Sequence, residues 1–132
     1  MGISSDLQRL IVARLRAAVP SVAGRVYDNP AETATMPYVS IGPSYWSDDS
    51  SECIRARSET VQIDVWASSR PSKATAKDAT DEVAAALDGW ADTGALTMHP
   101  LRVALVRVMD DPAPGVAHGV VQVEAMVEGQ CT

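Results

Sequence analysis

The chain has 132 residues and a formal net charge of −6, the size of one ordinary domain with no room for a second core. Folding at that size hides about two-thirds of the extended chain's surface, and 46% hydrophobic against 21% charged residues excludes an acidic disordered tail, a collagen-like chain and a coiled-coil rod. Apolar runs such as Leu10–Ala13 and Val103–Val106 fall far short of the roughly 18 residues of a membrane span, and the acidic balance repels polyanions, which disfavours sequence-specific nucleic-acid binding.

Ser5 followed by Gln8 has capping-box spacing, and Leu7, Leu10, Ile11, Leu15, Ala18 and Val19 recur at helical period, so a first amphipathic helix is expected to run until Pro20 stops it. A short strand at 25–27 follows. Residues 38–46 alternate around Gly42-Pro43, and 59–67 alternate cleanly, with Val61, Ile63 and Val65 on one face and Gln62, Asp64 and Trp66 on the other. These two strands are expected to pair antiparallel across an exposed, mobile polar loop, Ser47–Glu52. Ser72 is placed to cap a second helix whose stripe is Ala76, Ala79, Thr80, Val83, Ala84 and Leu87, ended by Gly89. Its alanines let it lie close across a sheet.

Residues 101–110 and 119–128 are expected to form the last strands, joined through Asp111-Pro112-Ala113-Pro114-Gly115, with room for a small extra strand near 96–98. In the final strand Val121, Val123, Ala125 and Val127 face inward, while Gln122, Glu124 and Glu128 face out. The order α-β-β-β-α-β-β gives a single α+β domain: a mostly antiparallel β-sheet with two α-helices packed on it.

Cys53 and Cys131 are too few for a disulfide framework and lack C-x-x-C spacing, which fits free thiols in a reducing cytoplasm and leaves a single bridge between them open. Paired with His99 or His118 they would be the only conceivable thiol nucleophiles, and nothing in the spacing supports that chemistry. His99 is expected at a strand start, and His118 as a cap or turn residue before the last strand. No ligand set has metal-site spacing, Asp48-Asp49 and Asp110-Asp111 lack the calcium-loop pattern, and no glycine-rich phosphate cradle occurs. No cofactor and no enzymatic activity are expected. The opening Met1–Asp6 has neither a secretory leader's pattern nor a myristoylation motif. Trp66, on the polar side of its strand, calls for a cover from the chain's own helix or from a neighbouring subunit. Tyr45 and Trp46, with Arg55 and Arg57 returning beside them, pose the same choice.

Pro37-Tyr38-Val39-Ser40-Ile41-Gly42, Val65-Trp66-Ala67, the alanine-rich helix ending Leu87-Asp88-Gly89, Asp110-Asp111-Pro112 and His118–Ala125 stand in the order and spacing of a known family. Over roughly residues 5–128 the chain resembles the tail-completion proteins of long-tailed bacteriophages and gene transfer agents, also called tail terminators or head-tail joining proteins. The resemblance implies a subunit of a ring, typically a hexamer, that caps the head-proximal end of the tail tube, stops tube polymerisation and docks the filled head, leaving a channel for DNA.

The partners then implied are further copies of the chain, the tail tube protein and a head-tail connector, adaptor or stopper, in a phage-like particle made in the bacterial cytoplasm, with no membrane. Candidate ring-interface residues are Tyr45, Trp46, Asp48, Asp49, Arg55, Arg57 and Trp66; candidate lumen or inter-ring residues are Gln122, Glu124 and Glu128. Family members more often carry basic residues near Gln122 and Glu124, a departure in this chain. Two other readings are a neck adaptor between portal and tail, and a small-ligand-binding regulatory module.

Overall fold

The computed structural model of the protein describes residues 2–30, 34–52, 54–92, 94 and 97–129. Helix α1 spans Ile3–Ala18 and buries Leu7, Ile11 and Leu15 on one stripe, each worth about 1.5–3 kcal/mol of hydrophobic stabilisation. It starts before the expected capping box. Gly2 occupies the N-cap without a side-chain cap, because Ile3 packs on the core and the Ser4 hydroxyl is drawn to Glu59, which adds helix ahead of Ser5. Pro20 does end the helix, opening a 3₁₀ turn at Pro20–Val22.

Six strands follow among the described residues: β1 (Val26–Tyr27), β2 (Tyr38–Asp48), β3 (Arg55–Ser68), β4 (Thr97–Met98), β5 (Arg102–Asp110) and β6 (Val116–Gly129), with α2 (Ala74–Leu87) between β3 and β4. The sheet runs β1-β2-β3-β6, and β6 carries both β4 and β5 on its far side. All pairs are antiparallel except β1 with β2, which are parallel. The sheet is thus mostly antiparallel with one parallel pair, since β2 lies beside β1 in the same direction.

The β3–β6 ladder, from Arg55↔Gly129 to Ser68↔Val116, is the spine of the domain. It sets Val61, Ile63 and Val65 beside Val123, Val121 and Gly119 on one face, the alternation expected of both strands. That face is covered. Helix α2 packs on β3, β5 and β6, and α1 packs on α2 and β1, closing a core of Leu7, Ile11, Leu15, Val39, Ile63, Val83 and Leu87. The buried stripe of α2 is Ala76, Ala79, Thr80, Val83, Ala86 and Leu87; the expected Ala84 is half-buried and packs against the same core, and Ala86 joins it. Its N-cap is Lys73, while the Ser72 hydroxyl accepts a bond from the Ala74 N–H at 3.2 Å; Gly89, at φ 78°, closes the helix as expected.

Candidate functional site

Two regions are left uncovered by the helices, and the first is the far end of the β2–β3 hairpin. The segment expected as an open loop from Ser47 is mostly ladder: β2 stays paired through Ser47↔Ser58 and Asp48↔Arg57, and a bridge between Ser51 and Ile54 narrows the tip. Residue types that favour loops are overridden here by cross-strand pairing. Tyr45, Trp46 and Ile54 project from this end at 69%, 53% and 51% exposure.

Arg57 organises the base of the hairpin. Its guanidinium lies 4.2 Å from the Trp46 ring centre, a cation–π contact, and its Nη1 stands 3.6 Å from Glu59 Oε1. Glu59 is only 1% exposed. The Ser4 hydroxyl donates to that carboxylate at 3.1 Å and accepts from Arg57 at 3.2 Å, so the first turn of α1 is tied to the hairpin through a buried charge. A groove of about 420 Å³ opens beside it, lined by Trp46, Asp48, Ser50, Arg55 and Arg57 with apolar Ile3 and Val127. The Ser50 hydroxyl and N–H donate to Asp48 Oδ1 at 2.6 and 3.1 Å, and these bonds, with help from Arg55, hold the Asp48 carboxyl below the usual aspartate range.

The second region is the sheet face opposite the helices. Tyr27, Tyr38, Trp66 and His118 form a row of rings across β1, β2, β3 and β6, with centre-to-centre distances of 6.1, 6.4 and 4.0 Å. Trp66 Nε1–H donates to Ser40 Oγ at 2.9 Å, and His118 Nε2 lies 2.7 Å from Asp64 Oδ1, which also accepts from Gln62 at 2.9 Å. Asp64 is 7% exposed. β2 can cross that carboxylate only because residue 42 is glycine, since a Cβ there would meet Asp64 Oδ2 at 2.5 Å. Burial, reinforced by Asp111, pushes the Tyr38 phenol above its ordinary value.

The candidates from sequence therefore separate. Tyr45, Trp46, Asp48, Asp49, Arg55 and Arg57 share the hairpin end, but Trp66 lies mid-sheet, packed between Tyr38 and His118 instead of under a helix. His118 is a strand residue paired with Trp66 and Met109, not a cap. Gln122, Glu124 and Glu128 do share the open face with Trp66 by register; Arg102 meets Glu124 at 2.7 Å and His99 Nε2 lies 3.3 Å from Glu128, so neither carboxylate stands alone. His99 follows β4 instead of starting a strand. Cys53 and Cys131 lie outside the described residues, and among the described residues no three metal-ligating side chains converge.

Three features have no signal in the sequence. Alternation puts Asp64 on the outward side of its strand and says nothing of what Glu59 meets; the burial of both depends on Ser4, Arg57 and His118, all set by the folded chain. The third is β5, which among the described residues pairs with β6 alone and presents Leu105 and Val106 at 41% and 43% exposure. The run Val103–Val106 does mark an apolar strand; its position at the margin is a property of the sheet order.

The family model described as "Tail completion protein gp17" matches residues 9–128. Among solved structures, one chain in the virion of a native gene transfer agent particle is similar with 26% identity and a TM-score of 0.78, covering 90% of this chain and 92% of that one. The gp17 protein of bacteriophage SPP1 is similar in fold, with 22% identity and a TM-score of 0.57 over 98% of this chain and 94% of that one. No curated protein matches it.

Proposed function

We propose that this chain, which belongs to the tail completion protein gp17 family, is the ring-forming subunit that ends a phage-type tail tube. Family membership makes it a structural protein of the tail; the ring, its position and its partners are our reading. The match over residues 9–128 carries it, and the domain's anatomy supports it: one sheet face is covered by helices while no helix packs on the other among the described residues. Identical copies meeting head to tail after a fixed rotation close into a ring, for which six is the copy number we favour. Such a ring binds the last tube layer on one side and a head connector, adaptor or stopper on the other, and it does no chemistry.

In this reading the open face carrying Gln122, Glu124, Glu128 and the Trp66 row lines the bore. Its carboxylates, partly balanced by Arg102, give a wall along which DNA slides without being held. The hairpin residues Tyr45, Trp46, Asp48, Asp49, Arg55 and Arg57 form contacts between copies. The particle, at the end of the tail nearest the head, is where the protein works.

The test is to add purified protein to isolated tail tubes during tube growth and to image the products by negative stain. A ring seated on one tube end, with elongation halted, is the expected result. Binding to portal instead of tubes would move the protein to a neck adaptor's place. Indifference to both, with strictly monomeric behaviour at high concentration, would refute the ring.

A further inference from the structure

The two margins of the sheet are both unfinished. Among the described residues, β1 covers β2 at Val39 and Ser40, which leaves the outer edge of 44–48 without a paired strand, and β5 has β6 on one side and no strand on its other. Unpaired strand edges are templates for a further strand. Most of the large exposed apolar side chains gather at these margins: Tyr45, Trp46 and Ile54 on the hairpin, Leu105 and Val106 on β5. We propose that the β2 edge of one copy pairs with the β5 edge of the next, so that the sheet continues from subunit to subunit. This deepens the ring reading and rests on it.

Direction, face and charge all agree. Because β2 and β3, β3 and β6, and β6 and β5 are each antiparallel, β2 and β5 of one copy run in opposite directions. Rotation about an axis roughly along the strands preserves direction, so the new pair is antiparallel, like its neighbours. Tyr45, opposite Thr60, and Leu105, opposite Gln122, lie on the open face; Trp46, opposite Glu59, and Val106, opposite Val121, lie on the helix face. Joining the edges covers an apolar residue on each side of the sheet. Arg102, exposed at the start of β5 and bonded to Glu124 at 2.7 Å, would come level with the hairpin residues Asp48 and Asp49 of the next copy. The complement is between two different surfaces, as a head-to-tail contact requires.

The registers also fix a tilt. Through β3 and β6, Tyr45 and Trp46 align with Glu124 and Ala125, whereas Leu105 and Val106 align with Gln122 and Val121. The two patches are thus offset by about three residues, roughly 10 Å, across four strand spacings totalling roughly 19 Å. Bringing them level in a closed ring tilts the strands by roughly 30° from the axis, near the range of closed barrels. Six copies would then give a cylinder about 40 Å across between backbones, with the helices outside and the open face within.

The decisive experiment uses two full-length variants, Y45E/W46E and L105E/V106E, whose substituted edges repel each other, measured by light scattering and negative stain with the wild type, alone and on tail tubes. Both should keep the wild-type circular dichroism spectrum, because all four side chains are solvent-exposed, and neither alone should form rings. Mixed, each retains one sound edge, so a 1:1 heterodimer that grows no further is expected. Rings formed by either variant, or a mixture that stays monomeric while the wild type forms rings, would overturn the edge pairing and leave the ring standing. Absence of rings in the wild type, on tubes as well as free, would overturn both. Should a variant fail to fold, a disulfide ladder from S47C/A104C in a Cys53→Ser, Cys131→Ser background decides the matter: successive covalent oligomers support the pairing, and rings without cross-links refute it.

Discussion

Gly119 lies where α2 comes closest to the sheet, and replacing it by alanine tests that packing. Gly119 is buried on β6 between Val65 and Val108, and a Cβ there would collide with the Thr80 hydroxyl and approach Thr80 Cβ and Cγ2 to 3.2 Å. Thr80 is fully buried, and its hydroxyl already donates to the Ala76 carbonyl at 2.6 Å, so the side chain has nowhere to swing. Overpacking of this kind costs about 1–3 kcal/mol, offset by about 0.4–1 kcal/mol because alanine restricts the unfolded chain more than glycine does. A net loss of about 0.5–2 kcal/mol is expected, with Tm falling roughly 3–5 °C per kcal/mol in a domain of this size. Urea unfolding of wild type, G119A, T80A and the double variant closes the cycle. Removing the hydroxyl and methyl of Thr80 makes room for the new Cβ, so a coupling of about 1–2 kcal/mol is expected. If G119A costs as much in the T80A background as in the wild type, the helix does not press on the sheet here and the argument is wrong.

Arg57→Ala leaves buried Glu59 with Ser4 as its one donor among the described residues and should cost about 2–4 kcal/mol in urea unfolding; adding Glu59→Gln should recover much of that loss, and no recovery would mean that Arg57 matters through Trp46 alone. His118→Ala removes a stacked ring and a partner of buried Asp64, for an expected loss of about 1–3 kcal/mol, whereas His118→Phe keeps the stack and should fall between. Asp48, held below the usual aspartate value by Ser50, should titrate low by carboxyl-carbon NMR and move up in Ser50→Ala. Because its folded pKa is the depressed one, its small contribution is present above the unfolded value and fades as pH falls through the folded one; a midpoint indifferent to Ser50→Ala would refute that cause. Tyr38 should ionise above pH 10, so its effect on stability appears only as pH rises past the unfolded value, and an absorbance titration centred at or below 10 would contradict the burial assigned to it.

The chain's local chemistry settled a good deal. Period-2 alternation in 59–67 and 119–128 assigned both faces of the central strands, the spacing of Leu7, Ile11 and Leu15 set the buried stripe of α1, and Pro20 and Gly89 marked helix ends, because each of these signals acts within one turn or one strand. The order and spacing of short motifs were enough to place the chain in its family. What local signals missed depended on residues far apart: Ser4 reaching Glu59, His118 reaching Asp64 from within a strand, and the polar tip zipped into a hairpin; the direction of β1 was not specified by them.

Alternation along a strand states which side a residue faces, but not what stands across from it. Whether a carboxylate on that side is wet or buried is decided by strand register and by the helix laid over it. The same holds for the candidate surfaces: sequence supplied Tyr45, Trp46 and Arg57 as residues in need of a partner, and only the sheet order showed that β5 is a second open edge. Margins belong to the assembled sheet, since an edge is defined by the neighbour that a strand lacks.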